Sequence, residues 1–264
     1  MNFDRLSKQA LQVRCESLGI ETRSKRKSDL KEALVQYEKD AIDSAIANGT
    51  SLELLKRKLN DLADSYAQTL NQKVEDRKRE MDADDNAHYL IYRVFGISRE
   101  NGRLIDEYQN TGRFLYKYAG SFLEEAATLC LLFSDRDGCK TLVQNTLGAR
   151  PKTFEIDFLT KNNAIELKWR DATTDGDHIT KEHTRIKVIE SYGYKPIRVM
   201  FYYPQRTQAI KIQETLRTIY AGVNGEYYAG EEAWQYLKTV SGYDLQAMLE
   251  EIAERRDSEA NGNQ

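Results

Sequence analysis

The chain has 264 residues, of which 40% are hydrophobic and 31% charged, with only 3 prolines and a formal net charge of −3. That length accommodates one large domain plus a small accessory one, with enough apolar residues for a packed, helix-rich core. Its charge excludes a globally polycationic nucleic-acid binder, although residues 161–217 are rich in Lys and Arg while 225–264 are acidic, an asymmetry suited to an anionic ligand at one place. Cys15, Cys130 and Cys139 are odd in number and lack C-x-x-C spacing, which argues against zinc and disulfide frameworks and for a reducing cytoplasm. No apolar run approaches the roughly 18 residues of a membrane span, and the N-terminus lacks the apolar stretch of a signal peptide.

Residues 1–40 carry a compact helical signal. Leu6, Leu11, Cys15 and Leu18 line one stripe, and Gly19 is placed to cap it. A basic run, Arg23 to Lys27, precedes a second helix through Leu30, Leu34 and Tyr37. The two helices, the Gly19-Ile20 corner and the basic turn resemble a SAP-type DNA-binding motif, with Arg23-Ser24 where that motif has Gly. The resemblance implies that Lys25, Arg26 and Lys27 meet DNA phosphates, as helix N-termini beside basic side chains do. The alternative is an ordinary helical hairpin packed on the main domain. In residues 41–84, Leu52, Leu55, Leu59, Leu62, Tyr66 and Leu70 recur at helical spacing, the amphipathic stripe of a connector or arm.

Residues 85–264 read as the main domain. A helix over about Ala87–Val94 is expected, then a polar stretch containing Gly96, Gly102 and Gly112, then a helix over Gly120–Phe133. A short strand near 141–147, a hairpin over 153–170, a helix from about Asp177 to Ser191 and an apolar strand from Ile197 follow. The acidic C-terminal part is expected to be helical and to end in a disordered tail over 257–264. This order predicts an α/β protein, a mixed sheet flanked by helices with an N-terminal helical region.

The hairpin holds the most specific pattern. Phe154, Ile156 and Phe158 alternate with Glu155 and Asp157, and Ile165, Leu167 and Trp169 alternate with Glu166 and Lys168. A four-residue loop, Thr160 to Asn163, sets Asp157 opposite Glu166; a two-residue turn at Asn162-Asn163 sets it opposite Lys168. Both registers put Asp157, Glu166 and Lys168 on one face. Opposed carboxylates are destabilising unless something compensates them, and paired oxygen ligands suit Mg²⁺.

The element order and the Asp157-x₈-Glu166-x-Lys168 spacing resemble the PD-(D/E)xK nuclease superfamily, with Glu155-Ile156 before Asp157 instead of the Pro of the motif. The resemblance implies a restriction-endonuclease-like core, Asp157, Glu166 and the Leu167 carbonyl as ligands of Mg²⁺, and Lys168 acting on the attacking water. It leaves open whether Lys168 does so as a neutral acceptor or as a cation. Members often carry a helix glutamate four residues after a Gly, which Gly120-Ser-Phe-Leu-Glu124 matches; helical geometry instead puts Glu125 nearer the apolar face, so both stand as candidates.

After the hairpin, His178, Lys181 and Arg185 fall on one helical stripe suited to backbone phosphates, while Arg170, Thr173, Thr174 and Asp175 are within reach of base edges. His178 and His183 lack a third His or a Cys nearby and do not read as metal ligands. Within the superfamily, His88–Glu100 and Gly112–Glu125 are similar to ApaLI-type type II restriction endonucleases. That similarity implies a homodimer cutting double-stranded DNA at a short palindrome, because a two-fold protein reads two-fold DNA. Two other readings stand beside it: a structure-specific repair or resolvase-type nuclease of the same fold, and a non-catalytic DNA-binding protein.

Overall fold

The computed structural model describes residues 3, 6–22, 25–148, 150–170 and 176–262, with the side chains of 176–178 outside that description. In chain order the elements are α1 (Lys8–Ser17), α2 (Lys27–Ala47), α3 (Ser51–Asp82), α4 (Tyr89–Val94), α5 (Arg99–Ser134), β1 (Cys139–Gln144), β2 (Thr153–Leu159), β3 (Asn163–Arg170), α6 (Gly176–Ser191), β4 (Lys195–Tyr202), α7 (Thr207–Ala221), β5 (Glu226–Ala229), α8 (Glu231–Ser241) and α9 (Leu245–Gly262). Among the described residues no helix is long and apolar enough to cross a membrane.

The strands form one mixed sheet in the order β1-β2-β3-β4-β5. The first three are antiparallel neighbours, whereas β3, β4 and β5 run parallel and are joined by the crossover helices α6 and α7. Helices cover both faces. Leu123, Ala126, Ala127 and Cys130 of α5 pack with Ile165, Leu167 and Val199 of the sheet and with Trp234 and Leu237 of α8. On the opposite face Val188 and Ile189 of α6 meet Phe154 and Ile156, while Ile212, Leu216 and Tyr220 of α7 meet Met200 and Tyr227. Burial on both faces explains why β3 is buried without a break from Ala164 to Leu167, and β4 from Pro196 to Phe201, instead of alternating.

At the N-terminus the Ser7 hydroxyl accepts from Ala10 N at 3.1 Å and starts α1. Gly19, at φ 72°, ends it, with Ile20 N bonded to Cys15 O at 2.8 Å, the Schellman arrangement that only a left-handed residue allows. Leu11, Cys15, Leu30 and Leu34 then close a small core between α1 and α2. Helix α2 runs on past residue 40, and Ile42 joins Leu55 and Leu59 of α3 in the main core. The arm is therefore packed into the core of the main domain at its base.

Three expectations differ from the structure. The polar stretch expected between two helices is helical from Arg99 on, with Gly96 alone of its three glycines in the turn before α5, where the Ser98 hydroxyl accepts from Asn101 N at 3.1 Å. Gly102 serves packing there: a Cβ would come within 2.7 Å of the Tyr92 ring. The segment 257–262 continues α9 instead of being disordered; its first half is anchored by Leu245, Met248 and Ile252, and the helix propagates from there. Strand β5, only four residues long, carried too little periodicity to be read from sequence.

Candidate functional site

The hairpin adopts the four-residue loop, with Leu159 paired to Ala164 and Phe158 to Ile165. Continuing that register would oppose Asp157 to Glu166, and there the regular pairing of β2 with β3 stops. The Asp157 carboxylate takes over, accepting from Leu167 N through Oδ2 at 2.9 Å. Ile156, Asp157 and Phe158 are all buried, so the expected alternation fails at this point. Ile156 packs toward α6 while Phe158 joins the α5-side core, so β2 changes face across Asp157.

Four of the expected side chains converge at this opening. Lys168 Nζ lies 2.6 Å from Glu166 Oε1, 3.8 Å from Asp157 Oδ2 and 3.6 Å from Glu124 Oε1. Of the two helix glutamates, Glu124 is the one that reaches Lys168. Burial, with the neighbouring Glu166 charge, pushes the Asp157 carboxyl up to about 7. Burial acts on Glu166 the same way, but Arg185 and Lys168 outweigh it and hold that carboxyl well below the usual range. Burial disfavours the Lys168 ammonium, yet Glu166, Asp157 and Glu124 outweigh it and keep the group charged. Burial raises the Glu124 carboxyl from its ordinary value, with Lys168 opposing.

Sequence reasoning missed Lys140 of β1, whose Nζ sits 2.7 Å from Glu155 Oε1 and 3.8 Å from Asp157 Oδ1. A cavity of about 220 Å³ opens beside it, lined among others by Lys31, Val35 and Ile42 of α2 and by Glu124, Lys140 and Asp157. Nothing in the local pattern of β1 distinguishes Lys140 from a solvated strand lysine.

The expected DNA-contacting residues are scattered. Arg170 is exposed, its guanidinium 5.3 Å from the Tyr116 ring centroid and 5.6 Å from that of Trp169. Lys181 is exposed on α6. Arg185 does not share its outward stripe: its guanidinium turns inward onto Glu166 and the Glu155 carbonyl. Thr173, Thr174 and Asp175 lie outside the described residues, as does the His178 side chain. Lys25 is partly buried and Arg26 and Lys27 are exposed, with Arg26 Nε 3.5 Å from Asp29 Oδ2.

The donor chemistry fits a hard divalent cation. Asp157 and Glu166 are buried carboxylates side by side, one of them poorly compensated, and oxygen-only donors of this kind select Mg²⁺ or its congeners. Among the described residues no group of three or more His, Cys, Asp or Glu side chains converges as a ready-made metal cluster, so any ion held here completes its shell with backbone, water or substrate oxygen.

The model of one protein family, described as ApaLI-like restriction endonuclease, matches residues 30–254. No curated protein and no solved structure matches the chain.

Proposed function

The chain belongs to the ApaLI-like restriction endonuclease family, and on that premise we propose a Mg²⁺-dependent type II enzyme that cuts double-stranded DNA as a homodimer at a short palindrome. The observation that carries the reading is the convergence of Asp157, Glu166, Lys168 and Glu124 where β2 and β3 part. Asp157, Glu166 and the Leu167 carbonyl hold the metal. A bound divalent ion supplies neutralisation of the charge developing at phosphorus and a lower pKa for the attacking water. Lys168 orients that water by donating to it, and Glu124 holds Lys168 from the helix side. Glu125 takes no part. Phosphate contacts come from Lys181 and His178 of α6 and from Lys25, Arg26 and Lys27, while Arg170, Thr173, Thr174 and Asp175 meet base edges. The three cysteines are free thiols in the structure, in keeping with work in the cytoplasm.

Incubating the protein with phage DNA and Mg²⁺, then sequencing the fragment ends, tests all of this together. Discrete fragments sharing one palindromic end are expected, and Asp157→Ala or Glu166→Ala should abolish them while DNA binding persists. An Asp157→Ala protein that cuts at the wild-type rate would overturn the site. A smear, or a preference for branched DNA, would point to the structure-specific reading instead.

A further inference from the structure

Behind Glu166, on the side away from Lys168, a row of buried charges alternates in sign. Arg185 of α6 contacts Glu166 Oε2 and donates to the Glu155 carbonyl of β2, so one guanidinium spans the two strands where their pairing has stopped. Its Nη1 lies 3.9 Å from Glu182 Oε2. Glu182 Oε1 in turn receives Arg198 Nη1 of β4 at 3.2 Å and the Tyr220 hydroxyl of α7 at 2.6 Å. The side chains of Glu166 and Glu182 are each 5% exposed and that of Arg198 1%. Stability alone does not account for such a row. Desolvating two ion pairs is costly, and apolar residues of equal volume commonly do as well. Moreover, among the described residues Arg185 Nε and Arg198 Nε are buried without a hydrogen-bond partner.

The row makes the two oxygens of Glu166 unequal, as a backbone N–H does those of Asp157. Arg185 engages Oε2 of Glu166, leaving Oε1 to Lys168. Leu167 N engages Oδ2 of Asp157, leaving Oδ1 toward Lys140. We infer that Arg185 is a positioning residue that fixes Glu166 to present a single oxygen, Oε1, to the divalent cation, and that Glu182, Arg198 and Tyr220 hold Arg185 in place. The inference rests on the metal-site reading above and assigns Arg185 away from DNA phosphates.

The test is calorimetric titration of Mn²⁺ into the DNA-free protein, paired with DNA binding in EDTA. Arg185→Lys keeps the positive charge but loses the planar fork that spans Glu166, Glu155 and Glu182. It should weaken Mn²⁺ binding by about 10-fold or more, the usual cost of removing a residue that orients a ligand, while DNA affinity in EDTA stays at the wild-type value. A folded Arg185→Lys protein with unchanged or tighter Mn²⁺ binding would overturn the inference, since a cation that merely competed with the metal would give that result. If Arg185→Lys does not fold, Tyr220→Phe decides: it removes one hydroxyl bonded to Glu182, and weaker Mn²⁺ binding supports the chain of contacts while a wild-type value overturns it. The Glu166→Ala control separates the positioning role from the metal site. Were it to bind Mn²⁺ like wild type, the metal site itself would be wrong, whatever Arg185 does.

Discussion

Lys168 Nζ sits 2.6 Å from Glu166 Oε1, on the oxygen opposite the one engaged by Arg185, and 3.8 Å from Asp157 Oδ2. One lysine therefore bridges both carboxylates at the mouth of the site. Lys168→Ala should lower the single-turnover cleavage rate by about 100-fold or more, the scale of a missing proton-handling or water-orienting group, with a smaller change in the Mg²⁺ concentration for half-maximal rate. A variant whose rate recovers fully at high Mg²⁺ would show that Lys168 serves only to hold the ligands.

Glu124 and Glu125 are adjacent in sequence, but Glu124 is the one within 3.6 Å of Lys168. Glu124→Gln should reduce the cleavage rate, whereas Glu125→Gln should leave it near wild type. Equal losses in the two variants, measured by single-turnover kinetics, would place the contribution in the general charge of the helix face.

Glu182 sets an acid limit on stability. Burial acts against its charge, but Arg198 and then Arg185 outweigh that and hold its folded pKa below the ordinary value of 4.5. A depressed carboxylate stabilises the fold fully above its unfolded pKa and loses that contribution as pH falls through the folded one. Urea midpoints for the wild type should therefore drop as pH falls below about 4.5, and Glu182→Gln should show a shallower drop. At neutral pH the same substitution should cost about 3–5 kcal/mol, because it leaves Arg198 buried without its partner.

Leu59 of α3 has no exposed surface and packs in the core shared with α5 and the sheet. Leu59→Ala should therefore destabilise the whole domain by about 2–5 kcal/mol, as buried leucine truncations do. Two separate denaturation transitions, with only one of them shifted, would mean that the arm unfolds independently.

The basic turn before α2 gives a salt test. Replacing Lys25 and Lys27 by Gln should weaken DNA binding and reduce the slope of log K against log salt by about 1 for each phosphate left without its lysine. An unchanged slope would return the hairpin of α1 and α2 to a purely structural role.

Sequence by itself determined what local periodicity controls. Alternation along two short strands singled out Asp157, Glu166 and Lys168 as a group, although the structure brings Asp157 to Lys168 across a break in the alternation of β2. Helical spacing likewise identified the stripe of Leu55 and Leu59 and the corner at Gly19. Tertiary structure decided everything that depends on where charges find partners. It brought Glu124 onto Lys168 from a helix far upstream, turned Arg185 inward, and buried Arg198 against Glu182. It also made a helix of the Gly102 region, where close approach of Tyr92 rewards the missing Cβ. The reason is the same in each case. Backbone periodicity is local, whereas the cost of desolvating a charge, and the partner that offsets it, are set by elements distant in the chain.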